Sequence, residues 1–235
     1  TGFDYAMASG YFGIKPAKNF VIQFGHGKHF IGDGYRSLLL SDNAFNYPFL
    51  RIQTSFWKMQ YTNLYVEMQD INYFENNVID HSDQMGYAKK YMSSHYLSTN
   101  LNSKLNIGIF ESVIWEVNHT PQSRGFDVNY LNPIALFLPL GYSINAPDNV
   151  LVGINAKYKL PLKSYLYGQL ILDEFSLNEM KRNNDWYASK YGYQLGAKMY
   201  DVVGLDNLTL QAEYNLVRPY TYAHHDPRQN YAHYN

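Results

Sequence analysis

The chain has 235 residues, with 19 Lys plus Arg against 20 Asp plus Glu, a net charge of −1 and no Cys. Near-neutrality excludes the basic footprint that nucleic-acid binding requires, and the lack of Cys excludes disulfides, thiolate nucleophiles and Cys-based zinc sites. There are 24 Tyr, as many as Leu, while charged residues make up only 17%, below the usual quarter; that balance points to an aromatic-rich β surface.

Period-two alternation dominates the chain. Weak strands fall at residues 6–15 and 20–25. In the next segment Ile52, Thr54 and Phe56 oppose Arg51, Gln53 and Ser55. Thr62, Leu64, Val66 and Met68 then oppose Asn63, Tyr65, Glu67 and Gln69. Weaker strands follow at 91–101 and 105–115. Val152, Ile154, Ala156 and Tyr158 oppose Gly153, Asn155, Lys157 and Lys159. Leu166, Leu170 and Leu172 oppose Tyr167, Gln169 and Asp173. Tyr193, Leu195, Ala197 and Met199 oppose Gly192, Gln194, Gly196 and Lys198. Last, Leu208, Leu210, Ala212 and Tyr214 oppose Thr209, Gln211, Glu213 and Asn215. Successive Cβ atoms point to opposite faces, so each segment has one apolar and one polar side. No segment of similar length carries a helical stripe.

These strands run roughly 9–11 residues, which suits tilted membrane strands better than the 5–6 residues of ordinary sheets. No apolar run approaches the roughly 20 residues of a membrane helix. Mean hydropathy is −0.39, as polar as a wall of alternating residues would be. The expected fold is all-β: a transmembrane antiparallel outer-membrane β-barrel of about ten strands, one domain over 1–235. A soluble sandwich or lipocalin-like barrel is the alternative, with the apolar faces turned inward. Long loops are expected at 26–49, 71–90, 116–149 and 175–190, alternating with short turns. The alternation is strict if 134–142 is left out of the wall, as Pro133, Pro139 and Pro147 suggest.

Few motifs suggest chemistry. Asp173 and Glu174 are adjacent on a strand and point to opposite faces, so they cannot flank one substrate bond. The Gly-rich run 25–34 lacks the Gly-Lys-Ser/Thr ending and following helix of a phosphate loop. His224, His225 and His233 fit no zinc spacing. No catalytic group, metal or cofactor is expected. What remains is the polar face. Arg51, Tyr65, Glu67, Lys157, Tyr167, Asp173, Lys198 and Glu213 are expected to point into the lumen, where mixed charges pair and Tyr faces can stack on sugars. A diffusive channel would instead need an open lumen of one dominant charge.

Five stretches carry a resemblance. They are 24–44 (with Gly25-His26-Gly27-Lys28 and Gly32-Asp33-Gly34-Tyr35-Arg36), 110–115, Tyr130-Leu131-Asn132-Pro133, 167–175 and 213–224 with Arg218-Pro219-Tyr220. Together they resemble the RemB and Wzi-like gliding-motility and capsule-assembly family of Bacteroidota. The resemblance implies a non-enzymatic outer-membrane barrel at the surface of a Gram-negative bacterium. It further implies a role in attaching surface polysaccharide, or in a gliding or type 9 secretion assembly. Implied partners are outer-membrane lipid, surface polysaccharide and other secretion or motility proteins. Family members are longer, which implies that this chain is a central portion of a larger barrel. No ligand residues carry over from the family. In the loops, the candidate side chains are His26, Lys28, Arg36, Asp42 and Arg218.

Overall fold

A computed structural model describes residues 7–74, 87–116, 126–133, 148–173, 190–224 and 229–233. They form one antiparallel sheet of ten strands in chain order. The strands are β1 (Gly10–Ala17), β2 (Phe20–Gly27), β3 (Tyr47–Phe56), β4 (Met59–Phe74), β5 (Tyr87–Asn100), β6 (Leu105–Glu116), β7 (Asn149–Leu160), β8 (Ser164–Asp173), β9 (Lys190–Tyr200) and β10 (Thr209–Val217). Every ladder joins chain neighbours, and β1 and β10 stand at the two ends of the order. Among the described residues, helix is confined to two 3₁₀ turns, Val128–Leu131 and Val202–Gly204. No described helix is long and apolar enough to cross a membrane.

Short and long connections alternate. Two residues join β1 to β2 and β3 to β4, and β7 turns into β8 through Leu162 and Lys163, both at positive φ. Between β4 and β5 the connection is shorter than the sequence implied, because the strands reach Phe74 and Tyr87. β6 pairs directly with β7, so nothing between them adds a strand at that place. The stretch 134–142 itself lies outside the described residues, as do Glu174 and His225.

The ladder register sorts side chains into two faces, because directly opposed residues point the same way. One face carries the loop 28–46 and the C-terminal residues 221–224 and 229–233. Leu38 and Leu39 of the loop bury against Phe110, Leu151 and Ile171, with Tyr222 and Tyr231 packed beside them. Tyr47, Phe49, Leu64, Val66, Met68, Met92 and Ile114 form a second cluster on this face, covered by Leu40, Ala44 and Tyr231. Burying each leucine stabilises the docked loop by roughly 1.5–3 kcal/mol.

Two expected lumen residues fall on the other face. Arg51 pairs across β3–β4 with Leu64, whereas Tyr65 pairs with Leu50 and Ser93, and Glu67 with Tyr91. Following the register, Arg51, Lys157, Tyr167, Asp173, Lys198 and Glu213 share the loop face, and Tyr65 and Glu67 do not. The reason is physical. Alternation shows that two faces exist, but not which one is covered. In β4 the apolar set lies under the loop, because Leu40 and Ala44 of the loop, with Tyr231, come to cover it.

The opposite face is apolar and exposed over much of the sheet: Phe12, Phe24, Ile154, Leu170, Leu195 and Leu210 are all on the surface. Over β4–β6 it differs. There a strap, residues 126–133, lies along the sheet. Trp115 and the fully buried Tyr130 pack with their rings tilted at 39°, centres 4.8 Å apart, beside Val113 and Val150. Three hydroxyls satisfy strap carbonyls: Ser93 Oγ donates to Tyr130 O at 2.8 Å, Tyr65 OH to Leu131 O at 2.9 Å and Tyr61 OH to Pro133 O at 2.5 Å.

Candidate functional site

The densest polar constellation lies where the loop 28–46 meets β7–β10. Its inner part is closed by a bridge between Ile31 and Leu40, and Ile31 N donates to Leu40 O at 3.0 Å. The Ser37 hydroxyl donates back to Ile31 O and accepts from Leu39 N at 3.1 Å, which holds the turn. Loop backbone then plugs into strand side chains. Gln169 Oε1 accepts from Leu38 N at 2.7 Å, and Gln194 Nε2 donates to Arg36 O at 2.8 Å. Glu213 accepts from Tyr35 N at 2.7 Å and from Arg36 N at 3.2 Å. Tyr167 OH donates to Glu213 Oε2 at 2.8 Å and accepts from Gln211 Nε2 at 2.8 Å. Asp33 pairs with Lys157 and accepts from Asn155 Nδ2 at 2.8 Å.

Sequence chemistry explains why the loop can come this close. A Cβ at Gly34 would collide with Glu213 Oε2 and lie 2.8 Å from Tyr167 Cε2 and 2.9 Å from Arg36 O. Gly196, across from Tyr167 in the β8–β9 ladder, leaves room for the Tyr167 ring. Loop carboxylates and amides thus answer strand charges that would otherwise be buried with weaker compensation.

Residues 221–224 and 229–233, the closing segment, cover the other end. Asp173 Oδ2 accepts from Tyr222 N at 2.8 Å, and Tyr222 OH donates to Leu38 O at 2.7 Å. Tyr231 OH donates to Ser112 O at 2.7 Å. Lys90 Nζ donates to Asn230 O and Oδ1, at 3.0 and 2.7 Å. Between the loop and this segment a cleft of about 710 Å³ remains, lined by Arg36, Asn43, Met68, Thr221 and Tyr231 among others. A smaller polar cleft of about 280 Å³ lies at the short-turn end, beside Asp33, Asn106, Lys104 and Lys159.

The strand candidates are partly gathered. Lys157, Tyr167, Asp173 and Glu213 all bond the loop or the closing segment. Arg51 donates to Gln23 Oε1 on the neighbouring β2 at 2.8 Å and to Gln53 Oε1 on its own strand at 2.5 Å. Lys198 lies 5.4 Å from the Tyr200 ring centre. Glu67 pairs with Lys89 at 2.9 Å on the opposite face. The loop candidates scatter. His26 Nδ1 bonds Ala8 O at 2.8 Å, Arg36 donates to Asn43 Oδ1 at 2.8 Å, and Arg218 sits 5.6 Å from the Tyr191 ring centre. Lys28 and Asp42 are exposed. The residues that sequence reasoning did not single out are Asp33, Asn155, Gln169, Gln194 and Tyr222. The first lay in the flagged Gly-rich run, and the three amides lay on the same polar faces as Lys157, Tyr167 and Lys198.

Two histidines make loop docking pH-dependent. His29 is held between Tyr47 and Phe49, with ring centres at 5.9 and 4.3 Å. Burial, helped by the Arg51 charge, pushes its pKa down to about 4. His233 accepts from Gln69 N at 3.0 Å through Nδ1, so Nε2 carries the proton and bonds Asn46 O at 3.1 Å. Burial lowers its pKa too. Both are neutral when docked, and an undocked loop would bind protons at the ordinary value near 6.5. Docking strength is therefore full above about pH 6.5 and falls as pH drops toward 4. A fluorophore on Lys28→Cys, unique in a Cys-free chain, should lose polarisation over that window, and less so in His29→Phe. A flat trace from pH 7 to 4 would refute the assignment.

No family model, curated protein or solved structure matches this chain.

Proposed function

We propose that the chain is part of the wall of an outer-membrane β-barrel of a Gram-negative bacterium, with the loop 28–46 folded inward as a plug. In this reading it is a non-enzymatic surface scaffold that retains surface polysaccharide. The observation that carries it is the division of the sheet. One face is apolar and exposed across β1–β3 and β7–β10, with Leu195 at 62% and Phe12 at 69%. The other is closed by a loop bonded to strand side chains. A soluble barrel would bury its apolar face and expose the polar one, since exposed apolar patches of this extent mark contact surfaces. A lumen filled by a bonded loop also disfavours a diffusive channel. The polysaccharide role rests on the resemblance of 24–44, 110–115, 167–175 and 213–224 to the capsule-assembly family. The gliding and type 9 secretion branch of that family is the second reading.

Cells lacking the protein should shed surface polysaccharide into the medium, and the wild-type gene should restore retention. Normal retention with lost gliding would move the assignment to the motility branch. Normal retention and normal gliding would refute both.

A further inference from the structure

All five short turns of the sheet lie within the described residues. Three of them present an apolar side chain: Trp57 between β3 and β4, Leu162 between β7 and β8, and Val203 between β9 and β10. These are 84%, 82% and 91% exposed, more than any other large hydrophobic residue described. All three have positive φ, at 50°, 56° and 58°. That conformation is strained for a bulky L residue, and most of all for Val, which branches at Cβ. Gly or Asn adopts it with less strain. Strain kept at a turn is a pointer to function.

Lysines stand beside these residues. Lys18, Lys58, Lys104 and Lys163 lie one in each of the first four turns, with Lys15 and Lys159 near the adjoining strand ends, and all six are exposed. The turns hold two carboxylates, Asp201 and Asp206, and Asp201 is paired with Lys163. Lys58 Nζ lies 5.3 Å from the Trp57 ring centre. Lys15, Lys18, Lys58, Lys104 and Lys159 make no ion pair among the described residues. The rim therefore carries positive charge that the chain's described part leaves unanswered.

The outer apolar face continues into this rim. On β7, Ile154, Tyr158 and Leu160 lead to Leu162, and on β3 Phe56 leads to Trp57. Whatever meets the outer face meets the turns as well. The β3–β4 and β9–β10 turns are six strand spacings apart, about 29 Å, and the β5–β6 turn between them adds exposed Leu101 beside Lys104. Apolar side chains and free ammonium groups repeated along such a line fit a plane of lipid: the apolar groups enter the acyl boundary, while the lysine stems let their ammonium groups reach phosphate. Net positive charge favours anionic over zwitterionic head groups. Resting on the membrane reading above, we infer that the short-turn rim is a docking surface for anionic phospholipid, held by Lys58, Lys104 and Lys159 around the apolar turns.

The test uses the full-length protein in vesicles of equal parts phosphatidylcholine and phosphatidylglycerol, with bromine on the acyl chains of one lipid or the other, and a bimane label at Leu162→Cys or Leu195→Cys. At Leu195, on the outer face, both brominated lipids should quench alike. At Leu162 brominated phosphatidylglycerol should quench several-fold more than brominated phosphatidylcholine. The difference should vanish in Lys58→Gln with Lys104→Gln and Lys159→Gln, and at about 1 M salt, where the screening length falls to about 3 Å. Equal quenching at Leu162, the same preference at both sites, or a preference that the triple substitution leaves intact would overturn the inference. So would a Leu162 label that neither lipid quenches while Leu195 is quenched, the result expected of a rim that meets water or a protein. If neither lipid quenches Leu195, the membrane reading itself fails.

Discussion

Gly34→Val should undock the loop 28–46 while leaving the sheet intact. The valine branches would have to enter space held by Glu213 Oε2, the Tyr167 ring and Arg36 O. Overpacking of this kind typically costs 1–3 kcal/mol. Here the strain falls where Tyr35 N and Arg36 N meet Glu213, so relief means giving up those two charge-assisted bonds, each worth about 1.5–3 kcal/mol. A loss of about 3 kcal/mol raises the undocked population roughly a hundredfold. Arg36 makes this measurable. Its backbone N–H and C=O are both bonded to the sheet, so trypsin can cut after it only when the loop opens. Cleavage should rise by one to two orders of magnitude, following the open population if reclosing is fast. Gly10→Ala, where an added Cβ would meet nothing within 4 Å, is the control that should leave cleavage after Arg36 unchanged. Cleavage unaltered in Gly34→Val would mean that the loop is not held where Glu213 holds it.

Tyr130→Ala is the second large effect. The side chain is fully buried, its ring lies 4.8 Å from that of Trp115, and its hydroxyl donates to Asp148 Oδ2 at 2.5 Å. Truncating a buried aromatic costs about 3–5 kcal/mol, and no other strap side chain is as deeply buried. The strap should detach, leaving the Ser93 and Tyr65 hydroxyls without their carbonyl partners. Amides of 128–132 should then lose hydrogen-exchange protection while those of β7–β9 keep theirs. Val128→Ala, on the exposed side, should change neither. If exchange rose equally in β7–β9, the strap would be part of the sheet's global stability and not a separable cover.

Ten strands and the alternation of short with long connections were legible because period two marks a strand wherever one face is covered. The identity of the covered face was not. In β4, Leu64, Val66 and Met68 could as well have met lipid as a loop; only Leu40, Ala44 and Tyr231, brought there by the chain's return, decide it. The same ambiguity put Tyr65 and Glu67 with Lys157 and Glu213, when the ladder turns them the other way. The polar set Gln169, Gln194 and Lys157 was visible, but not its partners, since Asp33 lies 124 residues from Lys157. The strap had no periodic signal at all. Tyr130-Leu131-Asn132-Pro133 is too short and irregular to reveal that it lies along the outside of a sheet.

A spin-label scan of β9, one cysteine at a time in native lipid, separates an apolar face turned to lipid, with a plugged loop face, from the reverse arrangement. Oxygen accessibility should peak at Tyr193, Leu195 and Ala197, with Gln194 and Gly196 shielded from both oxygen and a water-soluble nickel reagent. Labels at Tyr193, Leu195 and Ala197 that respond to nickel rather than oxygen, or a scan with no period of two, would contradict the first arrangement.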